Sequence, residues 1–459
     1  MISLNSSGLL SGNGIDVQSL VQQLLSPESG QLQLWQQQQT DLQNQAKLLT
    51  GISSDLTDLS SAVNSLTDIL GPLTSQTAKS NQPSIVTASA QVTAVPGDHT
   101  IVVSTLATQG TLYTDPVTDG NTSILPANAQ SADLQIQIGG TGGSSHDIAI
   151  SAGTNDTLNK IASYVNSQNW GAIATVLTDA SGARLAIYSQ TTGTTGALAV
   201  TSNTSSLNFN PPIGGTNASL TVDGVPFSST TNTVTGAIPG VSLNLLGAFP
   251  SIQAQVSVGP DSNGAAQAIT SFVNAYNKII GDINQQFTVD PSTNSGGPLG
   301  SDGSLRLLQS SLLSDATQAV GSGAFPNLAS LGIAMNNDGT LSVNSGQLSD
   351  ALANHPLEVL NFFQNSSSTG FANLFAKDLQ NLTDPTRGVV SVDLAQNQRS
   401  QQGLDTSISN FQDRISSEQK SLTTQFSQVN ALLEEFPFLL QSINVQLGIS
   451  TTGTNKSTG

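Results

Sequence analysis

Apolar residues at both ends of the chain recur at helical spacing. Near the start, Val17, Leu20, Val21 and Leu24 follow Asp16, which is placed to act as an N-cap or first-turn acid, and Pro27 with Gly30 reads as the end of this first helix. A second helix is predicted from Trp35. In it Leu42, Leu49, Ile52, Leu56, Leu59, Val63, Leu66 and Leu70 step by seven and then alternately by three and four until Gly71 and Pro72. This is a coiled-coil seam with a Gln-rich lead-in, Gln36 to Gln39. The far end repeats the pattern: Leu404, Ile408, Phe411, Ile415 and Leu422 keep heptad spacing, and Phe426, Val429, Leu433 and Phe436 resume after one extra residue, a stutter that unwinds a supercoil. Pro437 then predicts a kink or an end. A single amphipathic helix is marginal in water without a packing partner. The two seams are therefore expected to pack on each other within a subunit, leaving exposed remnants for neighbouring subunits.

Between Pro83 and about Gly259 the period changes from helical to two. Thr100 to Leu106, Leu134 to Ile138, Ile148 to Ile150, Arg184 to Tyr188 and Ser219 to Val225 alternate apolar and polar residues, as antiparallel strands do. Asp223-Gly224 between Val222 and Val225 predicts a type I′ hairpin, whose two central residues need positive φ. One helix interrupts the strands, burying Leu158, Ile161, Ala162 and Val165 behind a cap at Asn155 or Asp156. Strands at 134–150 and 173–188 flank it, so the local order is ββαββ. Helices return after Asp261: Ile269, Phe272, Tyr276, Ile279 and Ile283 mark one, and Leu305, Leu308 and Leu312 another, with a Gly/Pro/Ser loop from Asp290 to Gly303 between them. Leu331, Ile333 and Met335 lead through Asn337-Asp338-Gly339 into Leu341 and Val343 as a small hairpin, and short helices come after it around 348–352, 359–363 and 371–382. The fold class is α+β and multidomain: a terminal helical, coiled-coil stalk split by an inserted β-rich head.

Composition narrows what such a chain does. Charged residues make up 9% of its 459 residues, against roughly 25% in an ordinary soluble domain, and the net charge is −18. No Lys or Arg occurs from Ser80 to Asn159 or from Leu185 to Asn277, so there is no basic stripe for nucleic acid and no attraction to an anionic membrane surface. No apolar run approaches a membrane span, and with no cysteine there is neither a disulfide nor a thiolate site. The opening MISLNSSGLL lacks the basic and apolar regions of a cleavable signal, which predicts export by an apparatus that reads an uncleaved terminus.

Catalytic, cofactor and metal sites are not expected. His99, His146 and His355 stand far apart in sequence without convergent partners. Gly139 to Gly143 lacks the Lys-Ser/Thr ending of a phosphate loop and reads as a hairpin loop, and Asn336 to Gly339 lacks spaced calcium ligands and reads as a turn.

Several segments together resemble the flagellar hook-associated protein 2 family, the filament caps. Ser11 to Asp16 followed by Ser19-Leu20-Val21 is similar to that family's opening signature, and Thr87 to Ala90, Pro96-Gly97, Ile101 to Val103 and Leu106-Ala107 to its entry into the β head. Thr157-Leu158, Ile161, Val165-Asn166 and Gly182 to Leu185 look like the flagellin hook repeat of such heads. Gly297 to Leu299, Leu305-Arg306, Leu331 to Ile333, Gly339, Leu341, Leu348, Ala351-Leu352, Pro356 and Phe362-Phe363 resemble its carboxy-terminal domain, so the ordered set spans roughly residues 8–435.

The resemblance implies a secreted protein at the flagellum tip. Its expected partners are further copies of itself in a ring, flagellin, the hook-associated junction proteins and an export chaperone. It also implies a division into an N-terminal leg (1–45, partly disordered), a helical domain (46–78 with 262–403), a β head (79–115 with 215–261), an outer head (116–214), a C-terminal coiled-coil leg (404–446) and a disordered tail (447–459). The seam residues Leu49, Ile52, Leu56, Leu59, Val63, Leu66 and Leu70, with Leu404, Ile408, Phe411, Ile415, Leu422, Phe426 and Val429, are then the expected assembly site. Two alternatives stand: a glycan-binding surface adhesin using the polar β head, and a hook-filament junction or flagellin-like protein, which shares the helix, β, helix order.

Overall fold

Helix α1 runs without interruption from Val17 to Thr67, with Pro27 inside it. The structure, a computed structural model, describes residues 16–289, 291–292, 295–320, 323–365 and 367–447. The Ser11 to Ile15 part of the opening signature and the polar tail beyond Leu447 lie outside them. Asp16 caps α1 as expected, its Oδ1 accepting from the Ser19 N–H at 3.1 Å. The break expected at Pro27 and Gly30 does not occur. A proline costs a helix interior ~3 kcal/mol and one backbone bond, which is set against the burial of Val21 before Pro27 and the side-chain contacts from Glu28 onward, described below. At its other end α1 stops one turn before Leu70, where the Asp68 carboxylate accepts the Leu70 N–H at 2.9 Å and the chain turns into Gly71.

The strands come in the order β1 (Gln76–Ser80), β2 (Val86–Ala90), β3 (Gly97–Thr105), β4 (Gln109–Tyr113), β5 (Ser131–Ile138) and β6 (Ser144–Ser151), then α2 (Leu158–Ser167), β7 (Ala172–Asp179), β8 (Gly182–Thr192), β9 (Leu198–Asn203), β10 (Ala218–Val222), β11 (Val225–Ser229), β12 (Thr233–Ile238), β13 (Val241–Leu245) and β14 (Ala254–Pro260). They build two separate cores. In the first, the five-stranded sheet β1-β14-β3-β10-β11 and the three-stranded sheet β12-β13-β2 enclose Ile101, Val103, Leu220, Leu243 and Val256. The Asp223-Gly224 turn joins β10 to β11 with φ of 52° and 80°, as the hairpin requires.

In the second core α2 buries Leu158, Ile161, Ala162 and Val165 among Leu134, Ile148, Leu185 and Ile187. The ββαββ order is present, but its two hairpins belong to different sheets, β6-β5-β9 and β4-β8-β7. Alternation fixes which face of a strand is buried and says nothing about which sheet it joins. The cap of α2 is Thr157, whose side chain accepts from the Lys160 N–H, rather than Asn155 or Asp156. Asp156 instead accepts from the Gly153 N–H and pairs with the Lys160 ammonium at 2.8 Å.

The remaining elements are α3 (Ser262–Phe287), α4 (Gly303–Thr317), β15 (Ile333–Met335), β16 (Leu341–Val343), α5 (Ser345–Asn354), α6 (Pro356–Phe363), α7 (Phe371–Leu382) and α8 (Val389–Gln446). Leu331 ends a short 3-10 turn ahead of β15 instead of opening the strand. The C-terminal seam lies within the single helix α8, which Pro437 does not end. The described chain forms two compact units, 16–64 with 270–344 and 364–447, and 65–269 with 345–363. Residues 345–363 thus group with the β-rich unit, whereas the division implied by the resemblance has all of 262–403 in one helical domain. In the helical unit an aromatic cluster joins α3 to α7, with Phe272 edge-on to both Phe371 (5.7 Å) and Phe375 (5.5 Å) and Tyr276 beside Phe375.

Candidate assembly surface

Helices α1 and α8 run antiparallel within the helical unit, and their partners are explicit. Glu28 meets Arg414 at 3.6 Å, Trp35 packs edge-on to Phe411 with centroids 5.1 Å apart, and the Gln39 amide donates to Asp405. The Leu42 carbonyl accepts from Asn397 at 3.1 Å and from Gln401 at 3.3 Å. Arg414 also lies over the Phe411 ring, 4.7 Å from its centroid. Each step toward the C-terminus of α1 is matched by a step toward the N-terminus of α8. From Glu28 to Gln45 this makes roughly 25 Å of shared length at ~1.5 Å per residue.

Much of the fastening is amide rather than apolar. Asn397, 7% exposed, is the buried anchor, and it also reaches Gln45 at 3.4 Å. A groove of about 480 Å³ along this seam is lined by Gln38, Asp41, Leu42, Gln45, Ser400, Leu404 and Ser407. The Gln-rich lead-in, polar in sequence, therefore supplies part of the contact that binds the two helices.

The expected seam residues divide into three groups. Leu49, Ile52, Leu56, Leu59, Val63 and Leu66 are buried, none more than 3% exposed, and belong to the folded interior, but the register that sets Leu42 against Asn397 carries them past Leu404, so they do not pack on the C-terminal seam as expected. Leu70 is 69% exposed and beyond the helix end, so it takes no part in that interior. On α8, Ile408 is buried, Leu404, Phe411, Ile415, Leu422 and Phe426 are half-buried, and Val429 is exposed.

Beyond Val429, Leu433 is half-buried, but a run of apolar residues faces solvent. By the antiparallel register the first turn of α1 falls opposite roughly residues 425–429 of α8. Among the described residues nothing of α1 is left to cover the later turns of α8. Leu432 (67% exposed), Phe436 (57%), Leu439 (54%), Ile443 (45%) and Leu447 (68%) continue at spacings of three and four. An apolar stripe at this spacing, without a partner among the described residues, suits helix-to-helix association.

Sequence reasoning missed the contacts of Glu28, Gln39, Asn397, Gln401 and Arg414, because amide and ion contacts between helices carry no periodicity, and that of Trp35, a lone aromatic off the apolar seam. It also missed Asp55 on the buried face of α1. That carboxylate, 2% exposed, takes a hydrogen bond from the Lys278 ammonium on α3. The contact raises the pKa of Lys278. Asp282 beside them is held above the usual carboxylate range, first by burial and then by Asp55.

The histidines occupy separate places with separate partners. His99 pairs with Asp223 at 2.8 Å, which together with the Thr100 N–H lowers the Asp223 pKa and pins the β10–β11 turn. His146 stacks on Trp170 at 4.5 Å, and His355 lies 3.8 Å from Glu358. Gly139 to Gly143 forms the β5–β6 loop, and Asn336 to Thr340 closes the β15–β16 turn. Among the described residues no three His, Asp or Glu converge on a metal-sized site, and no helix is long and apolar enough to cross a membrane.

Comparison with known proteins returns one family. The model described as flagellar hook-associated protein 2 C-terminus matches residues 215–436, and its N-terminus counterpart matches 13–110, together well over half of the chain. The B-type flagellar hook-associated protein 2 of Pseudomonas aeruginosa is 29% identical over 416 residues, 83% of this chain and 85% of that protein. The flagellar hook-associated protein 2 of Escherichia coli K12 is 25% identical over 376 residues, 77% of this chain and 78% of that protein. Among solved structures, the D1-D2-D3 domains of the flagellar cap protein FliD from Escherichia coli share this fold with a TM-score of 0.59 at 24% identity, covering 76% of this chain and 99% of that one.

Proposed function

The chain belongs to the flagellar hook-associated protein 2 family, and from that premise we propose that it caps the flagellar filament at its tip as a ring of identical copies. In this reading α1 and α8 are the legs that sit in the filament end, and the β-rich unit is the plate above it. Exported flagellin folds beneath the plate and inserts at its edge, and no bond is made or broken. Flagellin and the hook-associated junction proteins are the neighbours of the legs, and an export chaperone shields the same stripe before secretion.

The observation that carries the proposal is the exposed heptad stripe on α8 from Val429 to Leu447, beyond the length that α1 pairs with. A low-charge, hydroxyl-rich surface supports it, since contacts with flagellin must be made and released repeatedly and strong ion pairs would hold them. Adhesion to glycans through the outer β module is a second reading, favoured by half-exposed Trp170 with His146 stacked on it and Tyr164 at its edge.

A deletion strain tests the capping role. Flagellin monomer lost to the medium, short filaments, and rescue by added purified protein are expected; filaments of normal length without the protein would refute it. For the second reading, removal of residues 116–214 with filaments intact should abolish surface binding, and unchanged binding would end it.

A further inference from the structure

A buried carboxyl group in the helical unit meets a half-buried one without a cation. Asp315, 8% exposed near the end of α4, lies within hydrogen-bonding range of Asp378 on α7. Asp378 is half-buried on the helix that buries Phe375 and Leu379. The Oδ2 atom of Asp315 is buried, and among the described residues no donor reaches it. Ionised carboxylates only accept hydrogen bonds. Two of them in contact in a low-dielectric site repel, and the arrangement closes only when one holds a proton and donates it to the other.

Among the described residues the surroundings offer no alternative counter-charge. From α3, Tyr276 presents a buried hydroxyl without a partner, whose ionisation is pushed upward by burial and by Asp315. The charged pair on α3, Lys278 and Asp282, is engaged with Asp55. Lys377, beside Asp378, is exposed. Helix α8 packs on α4 and carries Asp393, which acts with Asp302 at the opposite end of α4.

We propose that Asp315 and Asp378 form a proton-dependent latch that fastens α4 to α7 through one shared proton and loosens the helical unit when that proton leaves. Burial first, and then the neighbouring Asp378, push the Asp315 pKa up to about 7 from 3.8. A folded-state pKa above the unfolded value means that the contribution is fully present below the unfolded pKa and is lost as pH rises through about 7. The contribution therefore fades as pH rises from the unfolded value to about 7 and changes no further above it. This device is independent of the capping role.

The test uses the full chain and the variants Asp315→Asn and Asp378→Asn. Thermal unfolding is followed by circular dichroism from about pH 5.5 to about pH 8.5, with amide exchange of α4 and α7 and carbon-13 titration of the Asp315 carboxyl. The wild-type folding constant should fall with pH by up to about tenfold per unit, the limit for one proton, until about pH 7 and level off above it. In Asp315→Asn that slope should flatten, because the amide donates its hydrogen at every pH. Asp378→Asn should move the fall to lower pH. Asp282 and Asp393 are raised in the same direction and remain in every variant, so the difference between wild type and variant isolates the latch. An Asp315→Asn profile parallel to wild type overturns the proposal. If that variant does not fold, the wild-type titration decides: Asp315 protonated near pH 6 supports the latch, and Asp315 already ionised near pH 5 overturns it.

Discussion

Replacing Leu432 and Phe436 together by glutamine separates a surface built for association from one that merely happens to be apolar. Leu432 is 67% and Phe436 57% exposed, so neither supports the fold of its own chain. Glutamine forms helix about as well as leucine, and surface changes of this kind alter stability by less than ~0.5 kcal/mol. Full burial of a Leu or Phe side chain contributes ~1.5–3 kcal/mol, so covering the exposed part of each contributes ~1–2. The pair together is then worth ~2–4 kcal/mol per copy, or a loss of roughly thirtyfold to several hundredfold in association. Light scattering across a concentration series reads the assembly, and circular dichroism reads the helix. The expected variant keeps its helix content and unfolding midpoint and assembles only at much higher concentration. Assembly at the wild-type concentration would refute the reasoning. A fall in helix content would place these residues in the chain's own fold instead.

The same helices support further outcomes. Leu59→Ala, at a fully buried position, should cost ~2–5 kcal/mol in chemical denaturation, whereas Leu70→Ala, at a residue 69% exposed, should cost under ~0.5. Equal costs would contradict the placement of the helix end. A double-mutant cycle on Trp35→Ala and Phe411→Ala should return a coupling of ~0.5–1.5 kcal/mol for their edge-on contact, and a coupling near zero would mean that α1 and α8 do not keep this register in solution.

The parts of the fold that were legible in the sequence are those where burial imposes a period. Leu49 to Leu66, Ile269 to Ile283 and Leu158 to Val165 each read as a buried stripe and each is one. Asp223-Gly224 was legible because two consecutive positive φ angles admit few residues. Pro27 and Pro437 misled because their local cost is real but is set against the packing of helices 51 and 58 residues long. The sheet assignment of β5 to β8 was out of reach, since both hairpins alternate alike whichever partner they take.

For the candidate surface the division is sharper. Periodicity marked Val429 and Phe436 as apolar stripe residues, but only the register of α1 against α8 shows that the stripe outruns its partner. Asn397 and Asp55 gave no signal, because a polar residue on a buried helix face is recognisable only once its acceptor or cation is in place.

The paired strands β3 and β10 carry a consequence for how such chains diverge. The whole of β4 to β9 leaves and re-enters the chain between these two neighbours, and its two ends are tied together by the Thr108 N–H to Thr216 carbonyl bond of 2.9 Å and by the reciprocal bonds between Thr111 and Ile213. An excursion whose exit and entrance stand side by side can be lengthened, shortened or exchanged without moving the strands on either side. The family matches cover 13–110 and 215–436 and stop at this doorway from both directions. The segments that build the doorway are thus the ones the family models match, and a change of length in the excursion leaves them in place.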